Sequence, residues 1–470
     1  MGDQAPAAHG GRGAGRPGRR VRRPPKERLG LGGGVRVTTT LTTTLSNLAG
    51  RVRPGDNHER DGGRRRLTTS GALLVVAGAL LLLSLVRVVT GEDSITSTQQ
   101  WVSAMTFAVP IGLAGLGGLW AERSGVVNIG LEGMMMLGLF AAGWIGWQHG
   151  PWAAVAAGIV GGVLGGLVHA LATVTFGVDH IVSGVAINIL ALGVVQFLAK
   201  LWFGEEGSAA SAAGGNDKQS PQMERLEPFT VPGISDGLGD IADRHWFLVS
   251  DAAGILRAGV TNVSWLTLLA VLLFVGSYFL LWRSAFGLRL RSCGENPEAT
   301  ESLGVNVYFY KYVALAVSGG LAGLAGAYLA VLIRMYQDGQ TGGRGYLGLA
   351  TMIFGNWRPG GVAAGAGLFG FMDALQTREA ATVHAMLLLF SLGLLVLAVW
   401  QFTRGKRAAA ATSVVLAGLL CLWYATTDSI PRELITASPY LATLLVLALF
   451  SQRLRTPRAV GRTYRRGQAR

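Results

Sequence analysis

Charge is what this chain has least of. Only 14% of its 470 residues are Asp, Glu, Lys or Arg, against about 25% in ordinary soluble domains. Between Val126 and Val178 the only carboxylate is Glu132, a pattern that excludes a water-soluble enzyme. Cysteine is equally scarce: Cys293 and Cys421 supply no disulfide framework, and neither sits in a metal-ligand spacing. Lysine occurs five times, and none follows the Gly-Lys-Ser/Thr order that a phosphate-binding loop needs: Lys406 alone follows a glycine, and Arg407 comes next. The chain therefore carries no ATP-hydrolysing motif, no cofactor site and no metal site. Any nucleotide-driven work has to come from a partner.

What is abundant is apolar and small. Half of the residues are hydrophobic and 69 are glycine, about twice the usual ~7% share. Apolar stretches near the ~20 residues that cross a bilayer occupy 72–90, 102–120, 127–148, 152–176, 181–203, 262–282, 312–333, 383–402, 410–426 and 437–450. The region 346–376 is broken by Gly355-Asn356-Trp357-Arg358-Pro359-Gly360-Gly361, and fits either two short spans or a broken, re-entrant pair. The fold class is all-α: a polytopic helical membrane protein with about 10–12 transmembrane helices over 71–452. Glycines four apart (Gly158, Gly162 and Gly166; Gly161 and Gly165; Gly319 and Gly323) are read as helix-packing positions.

The net charge of +14 is not a nucleic-acid signal. Residues 1–70 hold 15 Lys/Arg against five Asp/Glu, and 451–470 hold seven against none, so the rest is slightly acidic. Basic segments stay in the cytoplasm. On that rule residues 1–70 form a disordered basic cytoplasmic tail and 453–470 a second one. The acid-rich loop 204–261 is extracytoplasmic, and 284–310 is cytoplasmic. Arg64-Arg65-Arg66-Leu67 only faintly resembles a twin-arginine export signal, because no small-residue cleavage site follows. It is read as a cluster that sets topology and meets membrane lipid.

Three polar positions inside spans stand out. Asn128 and Glu132, four apart, are expected on one helix face just inside a span end. A carboxylate there is costly unless it faces protein or water. Glu132 is either a lining or gating group of a pathway, or a structural hydrogen-bond partner, with Glu122 or Arg123 within reach. Asn188 reads the same two ways. In the loop from Gly287 to Val305, Asn296 can cap a helix starting at Pro297, with Gly304 as its stop. Such a short helix is marginal alone and makes sense if Ala299 and Leu303 dock into a partner's groove.

Three stretches together resemble the permease subunits of bacterial ABC importers for simple sugars, nucleosides and branched-chain amino acids. They are Ala121-Glu122-Arg123-Ser124-Gly125-Val126-Val127-Asn128-Ile129-Gly130-Leu131-Glu132-Gly133-Met134, the Gly287–Val305 loop, and Gly343-Arg344-Gly345-Tyr346 through Pro359. The first is most like the nucleoside-type branch. Ile430-Pro431-Arg432-Glu433-Leu434 with Pro439-Tyr440-Leu441 is similar to the family's closing span. The resemblance implies ATP-binding subunits, a second permease in a heterodimer and an external solute-binding protein as partners, in the cell membrane with both termini cytoplasmic. It implies Glu295, Asn296, Glu298, Ala299 and Gly304 as coupling residues, and Asn128, Glu132 and Asn188 as pathway candidates. The basic N-terminal tail and a helical hairpin inserted over 377–427 depart from the family pattern. An ion-coupled secondary transporter with Glu132 as relay, and a membrane scaffold, are the rival readings.

Overall fold

The computed structural model describes residues 69–205, 208–378, 380–427, 430–431, 433–437 and 454–465. The chain divides into Met1–Arg66 and Leu67–Arg470. The first unit, and with it nearly all of the expected 1–70 tail, lies outside the described residues, as does the expected closing span over 437–450 beyond Ala437.

Among the described residues every extended element is a helix, and pairing between extended segments is limited to isolated bridges. The order is α1 (Thr69–Thr90), α2 (Thr98–Arg123), α3 (Leu131–His149), α4 (Pro151–Ala170), α5 (His180–Phe203), α6 (Ala209–Ala212), α7 (Ile234–Ala242), α8 (Val249–Ala258) and α9 (Trp265–Arg283). It continues with α10 (Ala285–Glu295), α11 (Pro297–Ser302), α12 (Val307–Ile333), α13 (Arg344–Phe354), α14 (Pro359–Leu375), α15 (Ala380–Thr403) and α16 (Arg407–Thr426). Seven of these, α2, α4 with its π-turn to Thr175, α5, α9, α12, α15 and α16, are long and apolar enough to cross a bilayer. The expected 10–12 also drew on α1, whose apolar part is Val76–Thr90, on α3, on the 346–376 region and on the undescribed 437–450.

The centre is α12 enclosed by α2, α3 and α4. Glycine is what permits the enclosure. A Cβ on Gly162 would fall onto the Gly319 carbonyl oxygen, one on Gly319 onto that of Gly162, and one on Gly323 onto that of Gly158. Gly138 of α3 meets the Gly323 backbone on the same side. In an apolar solvent such backbone proximity takes the place of the hydrophobic effect as the source of helix association.

The bundle has two distinct ends. At one, the described residues of 204–264 are folded rather than loose. Asp251 of α8, 1% exposed, accepts the Thr96 hydroxyl at 2.6 Å and pairs with Arg87 Nε at 3.2 Å, which fastens this region to α1. At the other end lie α10, α11 and residues 454–465. The Ala459 N–H donates to the Gly294 carbonyl at 2.9 Å and the Gly461 N–H to that of Gly125 at 3.2 Å. Helices α15 and α16 form an antiparallel hairpin, with Ser391 Oγ donating to the Ala417 carbonyl at 2.9 Å and Ser413 Oγ to Gln401 Oε1 at 3.0 Å. Cys421 on this hairpin is exposed, whereas Cys293 in α10 is buried. Burial pushes the Cys293 thiol up to about 11, so it stays protonated and unreactive at neutral pH.

Substituting Gly319→Ala should cost about 1–3 kcal/mol through overpacking and lower the thermal unfolding midpoint in detergent. The control Gly276→Ala, where nothing lies within 4 Å of an added Cβ, should leave it unchanged. Equal midpoints for the two variants would refute the glycine crossing as the structural centre.

Candidate functional site

After α2 the chain turns at Gly125, whose φ is +92°, and runs back into the bundle before α3 starts. Two histidines hold this returning segment by Val127, and Ser183 braces one of them. His169 Nε2 lies 2.9 Å from the Val127 carbonyl, its Nδ1 lies 2.9 Å from Ser183 Oγ, and His180 Nδ1 accepts the Val127 N–H at 3.3 Å. A carbonyl can only accept, so the tautomer assigned to His169 carries its proton on Nε2.

Asn128 is not on a helix, contrary to its expected place on one helical face with Glu132. Its Oδ1 accepts the Gly130 N–H at 3.0 Å, forming a turn that delays the helix to Leu131. Its Nδ2 donates to Ser318 Oγ of α12 at 2.9 Å. Glu132, 2% exposed, does not partner Glu122 or Arg123. Its carboxylate accepts the N–H of Gly343 at 3.0 Å and that of Gly345 at 2.6 Å, at the start of α13. Asn188 of α5 completes the cluster: Oδ1 accepts the Gly133 N–H at 2.8 Å, and Nδ2 donates to the Ile129 carbonyl at 3.0 Å and to Tyr346 Oη at 3.1 Å. The three candidates therefore meet, at the point where α3, α5 and α13 converge.

The 346–376 region is the broken pair. Gly348 of α13 packs against Ala114 and Gly115, halfway along α2, so α13 begins inside the bundle and runs to the α10–α11 end. There the chain reverses at Asn356 and Trp357, both at positive φ (53° and 54°), and α14 returns. The turn is clasped by Glu122 and Arg123, the two residues expected within reach of Glu132. Glu122 Oε2 accepts Trp357 Nε1–H at 2.6 Å, and Arg123 donates to the Trp357 carbonyl through Nε at 3.0 Å. Where α13 starts, Arg344 Nη2 pairs with Asp373 Oδ2 at 3.0 Å, and its guanidinium lies over Phe107 at 5.8 Å. Asp373 escaped the sequence reading. Its signal was present, since it is the only ionisable residue in the 359–375 apolar run, and intramembrane charges mark function or pairing.

At the α10–α11 end, Asn296 Oδ1 accepts the Ala299 N–H at 3.0 Å, Pro297 opens α11, and Gly304 takes φ +80°. The start is where the capping residues put it. Glu295, Asn296, Glu298, Ala299 and Gly304 are all exposed, and Leu303 is 83% exposed. Thr300 is the buried residue of this short helix. The preceding stretch, which the sequence presents as part of a loop, forms helix α10, with Leu290 and Cys293 buried.

A cavity of about 320 Å³ opens at the 204–264 end between α2, α9 and α12. It is lined among others by Thr106, Asn262, Thr267, Tyr328 and Arg334, a mixed polar and apolar wall suited to a small polar solute. Asn128, Glu132 and Asn188 do not line it.

Removing the Glu132 carboxylate orphans two N–H groups at a helix start, at a cost of about 1–3 kcal/mol each. Glu132→Ala should lower the unfolding midpoint by several degrees, and Asn188→Ala by less, whereas Glu298→Ala should have no effect. A Glu132→Ala midpoint equal to wild type would refute the clamp.

The chain matches the family described as branched-chain amino acid transport system / permease component over residues 100–399. It is 32% identical over 375 residues to the guanosine ABC transporter permease protein NupQ of Bacillus subtilis, covering 78% of this chain and 96% of that one. It is 29% identical over 382 residues to the nucleoside ABC transporter permease protein NupC of Lactococcus lactis, covering 79% and 98%. A putative glucose ABC transporter permease of Haloferax volcanii is 35% identical over 269 residues, 57% of this chain and 73% of that one. No solved structure matches the chain. Such a permease takes its energy from ATP-binding subunits and its solute from a binding protein. The chain belongs to this ABC importer permease family and is a multi-pass membrane transport subunit, not an enzyme.

Proposed function

We propose that this permease imports nucleosides, paired with a second, different permease and fed by an external binding protein. The observation that carries the substrate class is the likeness to two permeases named for guanosine and nucleosides along 96% and 98% of their lengths. The glucose permease is matched over a shorter part of the chain. The cavity near Thr106 and Tyr328 serves as the outer portion of the pathway, with a volume of about 320 Å³ at the low end of small-molecule pockets.

Orientation follows from charge. The α10–α11 end, with residues 454–465, is the basic one, and the 204–264 end is acidic, so the first faces the cytoplasm. There α11 presents Glu295, Asn296, Glu298 and Ala299, with Gly304 beyond its end, to the ATP-binding subunit. The exposed Leu303 and the polar face around it suit a groove on that partner. Closure of the ATP-binding dimer moves α11, and the permease shifts between outward and inward openings through the partner's differential affinity for the two states. Asn128, Glu132 and Asn188 act in the pathway by fixing the returning segment and α13 beside it, rather than by touching solute.

In proteoliposomes holding the assembled transporter and its binding protein, labelled guanosine should accumulate with ATP, and unlabelled nucleosides should compete. Glucose or leucine accumulating in place of guanosine would overturn the substrate class, and accumulation by this chain alone on an ion gradient would overturn the coupling. Glu298→Lys should reduce co-purification of the ATP-binding subunit several-fold with insertion intact. Unchanged co-purification would remove both the coupling role of α11 and the orientation that places it in the cytoplasm.

A further inference from the structure

A second and larger cavity, about 660 Å³, lies at the α10–α11 end. Five arginines line it: Arg123 from the end of α2, Arg291 from α10, Arg358 from the α13–α14 turn, and Arg455 and Arg458 from the C-terminal strap. Four segments distant in sequence thus bring like charges to one hollow. None of these arginines forms an ion pair within 4 Å among the described residues. The one carboxylate in the lining, Glu295, accepts the Arg458 backbone N–H at 3.4 Å. Two of the guanidiniums are braced from behind: those of Arg123 and Arg291 lie 5.3 Å and 5.6 Å from the Trp282 ring centroid. Arg291 Nε is buried and, among the described residues, has no hydrogen-bond acceptor.

The geometry points to a binding site for a phosphate-bearing anion in this cavity, held by the arginines and closing the C-terminal strap onto α10. Planar guanidiniums match phosphate oxygens in pairs, and an anion relieves the repulsion that five converging cations otherwise carry. Trp282 is the penultimate residue of a bilayer-crossing helix, where aromatic side chains mark headgroup level. A phospholipid headgroup reaches that depth, and so does free phosphate from the water. The strap is already seated for this, because Arg455 N–H donates to Asn356 Oδ1 at 2.9 Å and Ala459 N–H to the Gly294 carbonyl at 2.9 Å. An anion between them would tie the α13–α14 turn, α10 and the strap into one unit beside α11.

The test uses the purified full-length chain in phosphatidylcholine nanodiscs, with the thermal unfolding midpoint as readout. One arm replaces part of the phosphatidylcholine by phosphatidylglycerol; the other adds inorganic phosphate against chloride at equal ionic strength. A rise in the first arm alone identifies a lipid headgroup, and a rise in the second identifies free phosphate. In either case Arg455→Gln with Arg458→Gln should abolish most of the rise, and Arg455→Lys with Arg458→Lys should retain part of it. Arg358→Gln, at the exposed residue of the α13–α14 turn, provides a second loss variant should the double variant not fold. A midpoint indifferent to both anions, or a rise of equal size in the Gln variants, overturns the site and leaves the arginines to an acidic surface of a partner protein.

Discussion

Two backbone N–H groups at the start of α13 face the bundle interior, and the Glu132 carboxylate takes both. No water is at hand in an apolar bundle to satisfy a helix that begins halfway across it. The helix start carries partial positive charge, and a buried carboxylate needs donors, so each offsets the desolvation cost of the other. This bond sets where α13 begins; the reversal at Trp357 has its own clasp in Glu122 and Arg123. Around it, Asn188 ties the same point to α5 and Asn128 ties the returning segment to α12.

This arrangement suits a subunit that moves without doing chemistry. The glycine-lined contact between α4 and α12 is a close backbone fit, rigid because no side chain separates the helices. The paired α13 and α14 also approach α2 through glycines, Gly348 and Gly370, and polar contacts mark both ends of the pair: Arg344–Asp373 ties α13 to α14 inside the bundle, and Glu122 and Arg123 of α2 hold Trp357 at its edge. Polar joints of this kind have discrete alternatives, and transport needs two states rather than a continuum. The short helix α11 lies at the same end as the Trp357 clasp, linked to it through the strap.

Much of the fold was legible because lipid imposes length and apolarity on each span. Hydropathy located α4, α5, α9, α12, α15 and α16 to within a few residues, and Asn296-Pro297 marked the start of α11 through cap chemistry that is local. The misses have separate physical causes. Asn128 and Glu132 have helical spacing, yet Gly125 and an Asn128 side-chain turn keep the helix from forming before Leu131. The partner of Glu132 lies 211 residues away, beyond any local pattern. Helix α10 alternates Leu290 and Cys293 with arginines and serine over a stretch too short and polar to register as an element. Asp373 is visible in the sequence as a lone acid in an apolar run, but its pairing with Arg344, 29 positions away, comes only with the fold.

Glu132 holds the inner end of α13, and amide hydrogen exchange reads that bond directly. In the detergent-purified full-length chain, the Gly343–Tyr346 amides should exchange slowly, at rates near those of the α12 core. Glu132→Ala should accelerate them by orders of magnitude while α12 stays protected. Fast exchange at these amides in the wild type, or rates unchanged by Glu132→Ala, would contradict the account.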